Sequence, residues 1–491
     1  MKLYRLLTLI CLLGVCLPQL ALATPWAPPG DRQLRRDIEL LAAYGVIRGP
    51  VTTWPVPWSQ ISRGLSGAAA DSLPNHVEDA LQRVRARLPR SRDYRRIGYE
   101  IEAYATNDER VVRGFDGKAR SEGDIRLSAD RHFTSTYVRL SVSYRKDDRD
   151  GNIQFDDSYI AKAAGNWVFY GGFVDQWWGP GLDSALTLST NARPFLKVGL
   201  MRLDPKPFRT RFLSWLGPWQ LNMFAGRLES DRGDFAHPIL AGMRFSFQPL
   251  RGLDLGLSRT MQLCGTGRPC GFSTWTNAFI GVGNLENTGT FNEPGNQQGT
   301  LDARYSTYIG RHDFAIYAEL MGEDEDNFFI DKLSLMFGAS VGGALQEGRL
   351  AWKLRAEYTD TKANRLVGKG VFNDSTYDHS IYTDGYTFRG RTIGGSLDSD
   401  TRLLTIAASM IDRRDRSYFL RYRYADVNDP GTPDHRVSGN REKLNIFEAG
   451  SDWPTRFGLF SLELRLASDQ LNTPGVADFN VAFEAGWKSR F

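Results

Sequence analysis

Trp177 and Trp178, adjacent in the stretch from Asp175 to Pro194, are the side chains best suited to hold a sugar. Indole rings stack on the apolar face of a pyranose, while Asp175, Asn191 and Arg193 can hydrogen-bond hydroxyls or pair with acidic groups. A second reading of the same residues stays open. A loop rich in Gly and Pro can fold inward, with the tryptophans as packing and Arg193 in a structural ion pair. The stretch from Met261 to Gly299 is another candidate surface, carrying Trp275 and several Asn and Gln side chains that both donate and accept, as hydroxyls require. Its alternative is a lid stapled by Cys264 and Cys270. These two cysteines remain once Cys11 and Cys16 leave with an N-terminal leader, and an oxidising compartment predicts a disulfide between them. Tyr377, His379, Tyr382 and Tyr386 support a vaguer version of the same binding chemistry.

Other chemistries are poorly served. Glu323, Asp324, Glu325 and Asp326 suit a hard cation, but Gly322 to Asn327 lacks the spacing and central Gly of an EF-hand loop, so a solvated acidic loop is the plainer expectation. No metal site and no cofactor is expected. The chain has no H-E-x-x-H or P-loop pattern, and its six histidines are scattered. No catalytic residue is therefore assigned, and the chain is not expected to be an enzyme. Carboxylate pairs that cleave glycosides are defined by separation in space, which leaves a polysaccharide-trimming hydrolase as a further reading. Lys and Arg number 61 against 57 acids, and nothing in that balance points to nucleic acid.

The elements that position these stretches are strands. In the last thirteen residues Val481, Phe483, Ala485, Trp487 and Phe491 share one parity, and Asn480, Glu484, Lys488 and Arg490 the other. A period of two puts oily and charged residues on opposite faces, so this sheet has lipid on one side and water on the other. A terminal strand closing on Phe also resembles the assembly signal of bacterial outer-membrane barrels, which makes the barrel-assembly machinery and outer-membrane lipid expected partners. The same period recurs from Ile97 onward, as in Phe460, Leu462, Leu464 and Leu466 against Ser461, Glu463 and Arg465. Such segments number about eighteen. Short turns at Ser451 to Thr455, Ile411 to Asp415, Gln346 to Arg349, Gly310 to His312, Gln248 to Arg251 and Gly165-Asn166 alternate with long connections, which are expected outside. Inward charges of both signs favour cross-strand pairing over a pore selective for one ion type.

The start differs. Lys2 and Arg5, an apolar run from Leu6 to Leu17 and Ala21-Leu22-Ala23 read as a signal peptide over residues 1–23. Residues 24–95 are expected to form a small bundle of three amphipathic helices. The first follows the N-cap Asp31 with Leu34, Ile38, Leu41 and Tyr44 on one face; the second follows Trp58 with Ile61 and Leu65; the third begins near Pro74 with Val77, Leu81, Val84 and Leu88. The proline-rich link Gly49 to Trp58 reads as a stiff connector, anchored by Trp54 and Trp58. Residues 96–491 form the barrel.

Three stretches resemble the Wzi capsule-assembly family of the Gram-negative outer membrane. They are Pro29-Gly30-Asp31 through Gly49-Pro50-Val51-Thr52-Thr53-Trp54-Pro55, then Asp175-Gln176-Trp177-Trp178-Gly179-Pro180-Gly181 with Leu188 to Pro194, and more weakly Asn292 to Gln297. The resemblance implies a transmembrane antiparallel β-barrel of about 18 strands with a small N-terminal periplasmic helical bundle at its base. It also implies a lectin-like role, in which extracellular loops hold capsular or other surface polysaccharide to the cell, as in biofilm. The competing reading is an outer-membrane porin for sugars or ions with the helices as a periplasmic plug. The two differ in the lumen, because a channel needs a continuous wet path and an anchor can be filled.

Overall fold

The computed structural model describes residues 24–67, 73–89, 97–116, 120–146, 151–280, 290, 295–323, 332–345, 348, 350–365, 371–373, 375–473 and 478–491. The leader expected over residues 1–23 lies outside them. Eighteen antiparallel strands close into a barrel. The seam joins the last strand, Asn480–Arg490, to the first, Ile97–Thr106, in a register running from Glu484 opposite Thr106 to Arg490 opposite Glu100. The alternation read from the terminal strand holds: Phe483 is 62% exposed on the outside and Glu484 is 4% exposed inside. Leu127, Leu140, Ile160, Val198, Ile316 and Leu420 on other strands are likewise exposed, giving the outer wall the apolar surface a bilayer requires.

Among the described residues three helices precede the barrel: Arg32–Ala43 (α1), Trp58–Ser66 (α2) and Asn75–Arg87 (α3). Asp31 caps α1 by accepting from the Leu34 amide at 2.8 Å, and Gly45, at a positive φ of 71°, turns the chain away from its end. Leu34, Ile38, Leu41, Ile61, Leu65, Val77, Leu81 and Val84 form one buried core, as their spacing predicts. Arg83 of α3 forks onto both oxygens of buried Asp37 of α1, at 2.7 and 2.8 Å, and reaches Asp415 at 3.3 Å. Arg83→Ala leaves Asp37 buried without its partner, an expected loss of about 3 kcal/mol. Faster hydrogen exchange in α1 and α3, with barrel amides unchanged, is the check.

The bundle sits at the end of the barrel that carries the short turns. Tyr44 donates to the Gly310 carbonyl, Arg251 donates to the Tyr44 carbonyl at 2.7 Å, Arg32 pairs with Asp452, and Ser59 donates to the Leu203 carbonyl at 2.6 Å. The connector then runs inward. Thr53–Trp54 pairs antiparallel with Trp177–Trp178, and Val56–Pro57 with Trp26–Ala27. Trp54 and Trp58 are both buried, as a packed connector requires.

Connections expected outside enter the lumen from the opposite end. Phe115, in the connection after the first strand, lies 4.9 Å from the Trp54 ring and 5.6 Å from that of Trp177, with the Arg35 guanidinium 4.4 Å above it. Backbone drawn this deep needs partners, and inward-facing strand residues supply them. Glu357 accepts from the amides of Leu182, Asp183 and Ser184 at 2.9–3.0 Å, and Glu319 accepts from Leu186 at 3.0 Å. Inward charges therefore grip loops as well as pairing across strands. Asp116 lies 2.8 Å from Arg421 and 3.1 Å from Arg32, so a loop carboxylate joins the wall to α1.

Candidate functional site

The two tryptophans are fully buried. Successive strand residues point to opposite sides, so Trp177 enters the bundle core while Trp178 joins Leu186, Phe224, Met336 and Tyr377 in a second core. The Trp177 indole N–H donates to the Gly181 carbonyl at 2.9 Å. Neither ring offers a face to a ligand arriving from outside, and this corrects the expected sugar platform: the wall and the connector together make a better partner for the indoles than water. Tyr377, Tyr382 and Tyr386 are buried too, with the Tyr377 hydroxyl donating to Leu186 and that of Tyr382 to Cys264.

Cys264 and Cys270 are bonded. Trp275 lies on an unforeseen helix, Phe272–Ile280 (α4), packed against Ala241, Met261 and Leu263. Those residues share parity with exposed Leu257, so Trp275 covers the outer wall rather than the mouth. Of the acidic stretch, residues 324–327 lie outside the described ones, and Glu323 itself accepts from the Tyr377 amide at 2.8 Å.

Asn191 and Arg193, from the same stretch as the tryptophans, meet elsewhere. Together they line a cavity of about 430 Å³ at the long-loop end. Among the described residues its wall carries eight arginines, Arg110, Arg113, Arg120, Arg145, Arg193, Arg389, Arg391 and Arg436, and a single carboxylate, Glu109. Most of the balancing acids stand behind this wall. Asp156 takes Arg193 at 2.8 Å and Arg145 at 3.2 Å, Asp175 takes Arg120 at 3.0 Å, Asp398 takes Arg436 at 2.8 Å, and Glu463 and Glu484 take Arg110. Glu109 itself is shared by Arg391 at 2.7 Å and Arg113 at 3.3 Å.

The cavity is therefore lined by arginines, each of which also pairs with a carboxylate. Burial pushes the Arg113 guanidinium well below its ordinary value, and Arg391 and Arg120 push it the same way. Burial also lowers Arg120 against the opposing pull of Asp175. Mutual repulsion of this kind is relieved by an anion. Asn191 donates to the Thr392 carbonyl at 2.8 Å, tying two of the contributing loops together. Sequence reasoning singled out Asn191 and Arg193 here and missed the other seven arginines. Arg110 and Arg113, and Arg389 and Arg391, recur as pairs within their own loops, and that recurrence was the available signal.

A family model described as "Capsule assembly protein Wzi" matches residues 89–478. A Klebsiella pneumoniae protein described as an uncharacterized 55.8 kDa protein in the cps region is 29% identical over 405 residues, covering 81% of this chain and 77% of that protein. Among solved structures, the fold matches Wzi of Escherichia coli, an outer-membrane protein involved in group 1 capsule assembly and described as a carbohydrate-binding β-barrel. That match has a TM-score of 0.80 at 24% identity, over 94% of this chain and 99% of that one.

Proposed function

The chain belongs to the Wzi capsule-assembly family, and from that premise we propose that it is a non-enzymatic, lectin-like anchor holding surface polysaccharide to the outer membrane. In this reading the short turns and the helical bundle face the periplasm, and the long-loop end meets the polymer. The observation that carries it is the pairing of an open, basic cavity at one end with a packed lumen behind it. Affinity then arises by avidity, as many weak contacts along a repetitive chain act together. The packed middle, with Phe115 against both Trp54 and Trp177, argues against the porin reading.

The test is to delete the gene and compare cell-bound with medium-released polymer at equal total synthesis. Polymer moving into the medium supports the anchor. Unchanged retention, together with open-channel conductance in planar bilayers, would return the porin reading.

A further inference from the structure

Building on the anchoring role, we propose that the arginine-lined cavity selects an acidic segment of polysaccharide, seating a sugar unit that bears a carboxylate. The composition of the wall comes first: among the described residues, eight arginines and one carboxylate line it. Arg forks match a carboxylate in two parallel hydrogen bonds, a geometry that Lys does not reproduce. The back of the cavity is also short of acceptors. Arg113 is 2% exposed, and among the described residues neither its Nε nor Nη1 of buried Arg120 has a hydrogen-bond partner.

Features beyond charge favour a sugar over a bare oxyanion. Among the described residues the buried Oδ1 of Asn191 lacks a donor, which a sugar hydroxyl supplies. Thr392 and Ser396 add polar groups, and Val111, Val437 and Leu471 add apolar surface for the C–H face of a ring. The volume lies toward the small end of ligand sites, so it holds a short segment of polymer. Glu109, sharing Arg113 and Arg391, occupies part of the anion's place and so competes with it.

Titration calorimetry of the full exported chain in detergent tests this. The probes are tetrasaccharides from hyaluronan, polygalacturonate and alginate, their carboxyl-reduced counterparts, and inorganic phosphate. At least one acidic tetrasaccharide is expected to bind, about tenfold or more tighter than its reduced form, as the loss of a charge-assisted pair implies. Added salt weakens it. Arg389→Gln with Arg391→Gln, at the more exposed rim, loses about tenfold or more while the barrel keeps its heat-modifiable migration; Arg391→Lys loses less; Glu109→Gln binds more tightly. Binding of no acidic probe, equal binding of reduced probes, or binding of phosphate with no preference for sugar overturns the proposal. In cells, a double variant that retains polymer fully where gene deletion releases it overturns the acidic selection and leaves the anchor standing. Deletion without effect removes the anchor, and titration alone then decides the cavity.

Discussion

Asp183→Ala is expected to destabilise the filled lumen by about 3–5 kcal/mol, the cost of leaving buried charge unpaired. Asp183 lies 2.5 Å from both Arg423 and Arg355 and 3.7 Å from Arg421, so one loop carboxylate serves three wall arginines. Burial alone would raise its carboxyl, but Arg355, Arg423 and Arg421 overcome that and hold it well below the usual range. The sign for pH follows from this depression. The stabilisation is complete above the unfolded value of about 4 and is lost only as pH falls through the lower folded value. Limited proteolysis of the purified protein should therefore show cleavage within residues 180–190 of the variant at pH 7. The wild type should resist at pH 7 and equally at pH 5. Early cleavage of wild type at pH 5 would contradict the clamp.

Trp177→Ala and Trp178→Ala are each expected to cost about 3–5 kcal/mol, because each empties a large, fully buried site. The two sit in different cores but share one short strand, so the double variant need not lose the sum. Near-ultraviolet circular dichroism melts in detergent measure the loss. Below the lowered transition, affinity for an acidic tetrasaccharide should match wild type. Reduced affinity with an unchanged melt would restore the tryptophans as sugar contacts.

Strand faces were legible in the sequence because they are a local property. Whether Glu463 points in or out is decided by Leu462 and Leu464 beside it, and the alternation states it directly. Helix faces were legible for the same reason, from Asp31 to Leu41 in α1. The direction of a loop is different, because its partners are remote in sequence. Asp183 turns inward because Glu357, 174 residues later, receives its amide. Trp177 is buried because Trp54 and Phe115 wait for it. The cavity was hidden for that reason too: its arginines come from four loops and a strand end, and each alone reads as an ordinary surface charge.

Phe115 and Asp116 have a mechanical consequence. A long polymer moved by flow drags on whatever grips it, and a grip mounted on a free loop would bend and peel. Arg113 stands two residues from Phe115, whose amide donates to Leu182 at 2.7 Å and whose ring is wedged between Trp54 and Trp177. Asp116 follows at once, bound to Arg32 of α1 and Arg421 of the wall. Tension applied at the cavity therefore runs down a short strap into the middle of the barrel and on to the helices. On the anchor reading, load taken at the cavity is thereby shared with the wall and α1 rather than borne by one loop.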